Sequence, residues 1–88
     1  MTREEIAKSL KPLEWRVWDD YGCRFAQPTK AYEAMIMAIP DGRMLVRINR
    51  HGEIIAEVLT TFNSLQEAKD FVREWQIDRF CSYLQMND

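Results

Sequence analysis

The chain has 88 residues, of which 47% are apolar and 30% charged, the mixture of a folded globular domain rather than of a disordered tail, a collagenous repeat or a membrane protein. That length allows one domain, residues 1–88, with a single shared core. Twelve Lys and Arg against 14 Asp and Glu leave a formal net charge of −2. No whole-molecule attraction therefore draws the chain to nucleic acid or anionic lipid, and such binding would need a local basic patch.

Thr2 followed by Glu5 fits a capping box, and Ile6 and Leu10 stand four apart before Pro12, which predicts a short opening helix. From Leu13 the period changes to two: Leu13, Trp15 and Val17 alternate with Glu14, Arg16 and Trp18. This strand is expected to turn at Asp19-Asp20-Tyr21-Gly22 and return over Cys23 to Gln27, with Pro28-Thr29-Lys30 as an interruption. Ala31 to Ile39 is apolar at nearly every position, which predicts a strand buried on most of its surface. Pro40-Asp41-Gly42-Arg43 is strong turn chemistry, after which Met44, Val46 and Ile48 face one way. Beyond a second turn at Arg50-His51-Gly52-Glu53, a strand over Ile54–Phe62 is expected to point Ile54, Ala56, Val58, Thr60 and Phe62 inward. Ser64 and Glu67 form a second capping box, and Leu65, Ala68, Phe71, Val72 and Trp75 follow at helical spacing. The predicted class is α+β: a short N-terminal helix, an antiparallel meander sheet of about four strands and a C-terminal helix packed on one sheet face.

The closing helix carries a second apolar group. At 100° per residue, Ile77, Phe80, Cys81 and Leu84 cluster about 150° away from the Leu65–Trp75 face. A monomer seldom leaves such a strip in water. Three covers suggest themselves: a bend of the helix near Gln76, the opening helix laying Ile6 and Leu10 over the strip, or a partner, either a second copy or another protein. Ile77, Phe80, Cys81 and Leu84 are accordingly the candidate partner-binding residues.

Chemistry is sparse. His51, the single histidine, sits in a turn with no nucleophile beside it, and Cys23 and Cys81 read as small packing residues. Neither cysteine has metal-ligand spacing around it, so reduced thiols and a cytoplasmic setting are expected, with no metal and no cofactor. Asp19-Asp20 reads as turn chemistry rather than as a carboxylate pair for magnesium. Gly22, Gly42 and Gly52 are scattered among turns, unlike a phosphate-binding loop. No leader peptide and no membrane span are expected. Binding is favoured over catalysis. A nucleic-acid alternative rests on Arg16, Trp18, Arg24 and Arg47, which could stack bases and track phosphates if they form one exposed, acid-free patch.

Leu10-Lys11-Pro12-Leu13-Glu14-Trp15, then Ala31-Tyr32 entering an apolar strand, then Phe62-Asn63-Ser64-Leu65-Gln66-Glu67-Ala68-Lys69 and a helix with Gln76 and Asp78, resembles small uncharacterised proteins of phages and prophages in proteobacteria. The resemblance spans residues 10 to 78 and implies a phage-type accessory protein in the cytoplasm of a bacterial host. It carries no catalytic residue across. Small phage accessory proteins without enzymatic machinery often occupy a host or defence-system protein, as the anti-CRISPR class does. The expected function is thus a non-enzymatic protein-binding inhibitor, with a homodimer as a further expectation. Its anchor would be the apolar strip, supported by the acidic row Glu67, Asp70, Glu74 and Asp78.

Overall fold

The computed structural model describes residues 2–18 and 22–86, with side chains through residue 84. Its elements are α1 (Arg3–Ser9), β1 (Arg16–Val17), β2 (Arg24–Thr29), β3 (Tyr32–Ala38), β4 (Met44–Arg50), β5 (Val58–Phe62) and α2 (Leu65–Met86). The fold is α+β. Five antiparallel strands follow one another in chain order, β1-β2-β3-β4-β5, one strand more than expected. Both caps form: Thr2 Oγ1 accepts the Glu5 N–H at 3.2 Å, and Ser64 Oγ accepts the Glu67 N–H at 3.1 Å. The Asp19-Asp20-Tyr21 part of the first expected turn lies outside the described residues.

The β3–β4 hairpin is the straightest part of the sheet, with seven consecutive partners from Tyr32↔Arg50 to Ala38↔Met44. Its turn closes as the sequence predicts. Gly42 adopts φ +91°, which a side chain would disfavour, and its N–H donates to Ile39 O at 2.9 Å. Asp41 accepts the Arg43 N–H at 3.0 Å and the Arg43 Nε–H at 2.7 Å. These bonds, the side-chain one foremost, hold the Asp41 carboxyl below the usual carboxylate range.

One buried cluster joins the layers: Tyr32, Ala34 and Ile36 of β3 and Val46 and Ile48 of β4 meet Ala68 and Val72 of α2. Leu13, Trp15, Val58, Phe62, Leu65, Phe71 and Trp75 pack around it. Ring contacts extend the cluster at both ends of α2's footprint, Tyr32 against Trp75 and Phe62 against Phe71, each with centroids 5.0 Å apart.

Several expectations need correction. β3 is buried on one side only: Tyr32, Ala34 and Ile36 are sealed, whereas Glu33, Met35 and Met37 alternate on the other face. β2 does not stop at Pro28 but runs through it to Thr29, with a register irregularity between Ala26 and Thr29. Proline fits because Pro28 lies where the neighbouring strand has already departed, and its carbonyl accepts from Gln76 Nε2 at 2.9 Å. β1 is only two residues long, since Leu13 and Trp15 leave the sheet edge to pack into the core.

The last strand begins at Val58 rather than Ile54. Asn49 Nδ2 holds Arg50 O and Glu53 O, each at 3.1 Å, and Arg47 Nη2 donates to Ile54 O. Glu57 is drawn inward, accepting from Tyr32 Oη at 3.1 Å and from Arg79 Nη2 at 3.3 Å. Pinned at both ends, the intervening chain cannot extend along β4. Ile54 is left 86% exposed instead of facing inward, and Ile55 beside it is 80% exposed. The inward alternation of Val58, Thr60 and Phe62 holds from there on.

Candidate docking surfaces

The strip on α2 is divided by α1. Arg73 Nη1 donates to Lys11 O at 3.0 Å, and its Nη2 donates to Ala7 O and Leu10 O at 3.0 and 3.1 Å. At the other end of α1, Arg3 bonds to Glu74 and Asp78 of α2. The two helices are therefore antiparallel, with α1 against the turn that contains Ile77. Ile77 is 5% exposed and Ile6 is buried, which corrects the expectation of an open Ile77: the subunit covers it with its own opening helix. Phe80 and Cys81 are half-buried and Leu84 is 40% exposed. They lie on the turns of α2 beyond Asp78, where Phe80 packs edge-on against Tyr83 at 6.2 Å. The four residues do not form one exposed surface.

The acidic row is also partly occupied. Glu74 and Asp78 clasp Arg3, and Asp70 accepts from Gln66 Nε2 at 2.8 Å.

A larger surface takes in Arg16, Trp18 and Arg47 of the nucleic-acid alternative, but its apolar extent was not singled out by the sequence. All of α2 lies on the Tyr32–Ile48 side of the sheet and α1 packs on α2 alone, so among the described residues no element covers the other side. Strand register builds that side row by row. Arg16, Phe25, Met35, Arg47 and Leu59 are consecutive cross-strand partners from β1 to β5, and Met37, Leu45 and Thr61 form the next row. Trp18 stands over Phe25, ring centroids 5.3 Å apart, and is 73% exposed; Leu59 is 63% exposed. A signal did exist in the sequence: Met35, Met37 and Leu45 occupy alternate positions that a solvated sheet face normally fills with charge. One long helix can cover only one side.

The nucleic-acid quartet separates on this geometry. Arg16, Trp18 and Arg47 share the open face, but Arg24 is partnered by Ile36 in the ladder and so belongs to the helix side, where its Nη1 donates to Gly22 O at 3.1 Å. The patch is not acid-free, since Glu33 stands beside Asn49 on the same face, engaged by His51 Nδ1. Arg16 and Arg47 have no carboxylate partner among the described residues, and Arg47 Nε–H is buried without an acceptor.

Where β1 leaves β2, a trough of about 560 Å³ opens between Lys11, Glu14 and Arg16 on one wall and Gln27, Glu33 and His51 on the other. It holds charges of both signs. The His51–Glu33 pair is the sole acid–base arrangement there, and no Ser, Thr or Cys lines the trough beside it. Among the described residues no group of three or more His, Cys, Asp or Glu is gathered to hold a metal ion, and no helix is long and apolar enough to cross a membrane.

No protein family, curated protein or solved structure matches the chain.

Proposed function

We propose that the protein is a non-enzymatic binding module of phage accessory type that docks on a host or defence-system protein through the open face of its sheet. The single observation that carries this reading is the face itself: Trp18 and Leu59 exposed around Phe25, Met35, Met37 and Leu45, with no element over them among the described residues. Trp and Arg within an apolar field are the residue types that dominate protein interfaces. An exposed arginine on the face selects the partner's chemistry. Arg16 suits a protein surface that sets Asp or Glu among apolar groups, because a carboxylate from outside would meet a guanidinium that has no acidic partner among the described residues. The phage character, a role against host defence of the anti-CRISPR kind and the bacterial cytoplasm as its location rest on the resemblance of residues 10 to 78. Phe80, Cys81 and Leu84 of the helix strip remain as a second, smaller contact.

The test compares wild type with a Trp18→Ser, Leu59→Ser double variant as bait in lysate of a phage host. A protein retained by the wild type and released by the folded variant supports the reading. Equal retention by both, or retention of nothing, overturns it. A parallel titration with a single-stranded oligonucleotide decides for nucleic acid instead if binding appears and weakens steeply with salt.

A further inference from the structure

The two edges of the sheet are guarded very differently. One edge ends in β1, two residues long and carrying Arg16, beside a β2 that contains Pro28 and an irregular register. Short strands, charge, proline and bulges are the usual devices that keep a sheet edge from pairing with another chain. The other edge is β5, Val58-Leu59-Thr60-Thr61-Phe62, with five consecutive partners on β4 and neither charge nor proline. None of those devices is present there.

The direction of its backbone groups follows from the ladder. Ile39 N–H donates to Arg43 O at one end of the β3–β4 hairpin, and His51 N–H donates to Ala31 O at the other. With that register, Leu45, Arg47 and Asn49 bond to β3, while Met44, Val46 and Ile48 turn their groups toward β5. Phe62 and Thr60 stand opposite Met44 and Val46. The N–H and C=O of Leu59 and Thr61 therefore point out of the sheet, four groups along one open line.

We propose that a second copy of this chain pairs with β5, antiparallel and centred on Thr60, joining the two sheets across a twofold axis. This register places Leu59 opposite Thr61 of the second copy and Thr61 opposite its Leu59, so each outward N–H meets an outward C=O and all four groups are satisfied. Val58 meets Phe62 on the helix side, Leu59 meets Thr61 on the open face, and no like charges oppose. Sliding the strands by two residues would bring Thr61 against Glu57, whose N–H is already given to Ile48 O at 2.9 Å. Five residues a side make a small interface, of the size class of weak and transient contacts rather than of permanent complexes.

Sedimentation equilibrium with the full chain reads the assembly: the expected mass rises with concentration from 10.5 kDa toward twice that value. Amide exchange read in parallel is expected to slow about tenfold or more at Leu59 and Thr61 as the dimer fills, while Thr60, bonded to β4, is protected throughout. Thr61→Pro removes an outward donor without touching the β4 ladder and is expected to abolish self-association with the circular dichroism unchanged. Should that variant fail to fold, the wild-type exchange pattern decides alone. A mass of 10.5 kDa at every concentration overturns the proposal. So does a dimer whose Leu59 and Thr61 amides stay fast, or one lost by Trp18→Ser, which would place the contact on the open face.

Discussion

The two faces of the sheet are built from the same strands with similar residue types, yet only one is a core. On the helix side, Ala34, Ile36, Val46 and Ile48 are completely buried because Ala68 and Val72 of α2 sit on them. On the other side, Met35, Met37 and Leu45 are partly covered by one another and their neighbours alone. Apolar content does not make a face interior; a second layer does. An apolar face left without its layer is a surface prepared for something outside the chain.

The contrast breaks most readily by truncation on each face in turn. Ile48→Ala is expected to cost about 2–5 kcal/mol through lost burial and a cavity, whereas Met35→Ala is expected to cost below about 1 kcal/mol. Urea denaturation of the pair checks this; equal losses would mean that the open face is covered after all. Gln76→Leu probes the seam between α2 and the sheet edge. It leaves the buried Pro28 carbonyl without its donor and is expected to cost about 1–3 kcal/mol. Trp18→Ser sharpens the contrast from the other direction: its stability change should stay within about 0.5 kcal/mol in a thermal melt while partner retention is lost. The smallest effect belongs to the turn that both faces share. Since the folded pKa of Asp41 is depressed, its stabilisation is present above the unfolded carboxylate pKa and disappears as pH falls through the folded value. Asp41→Asn should therefore lower the melting temperature at neutral pH, and the difference should vanish in acid.

The sequence is most legible where local chemistry decides alone. Thr2 and Ser64 cap their helices, Gly42 turns its hairpin, and the alternation in β4 and β5 selects the inward residues. Legibility fails where a distant side chain intervenes. Ile54 and Ala56 continue the spacing of a strand, but Asn49, Tyr32 and Arg79 hold the chain around them away from β4. Ile77 reads as exposed on a lone helix, and only the bonds from Arg3 and Arg73 show that α1 covers it. The apolar extent of the open face was hidden for a simpler reason. An apolar run in β3 is compatible with burial on both sides, and nothing local counts the layers.

Arg73 has a consequence for the order in which the chain acquires its shape. A seven-residue helix is far below the length that persists by itself in water, and the carbonyls at the end of α1 find their donor more than sixty positions downstream. During synthesis this segment must therefore wait unstructured until the part of α2 that carries Arg73 has emerged. Its docking is a late step, closing over Ile77 only after the closing helix has formed.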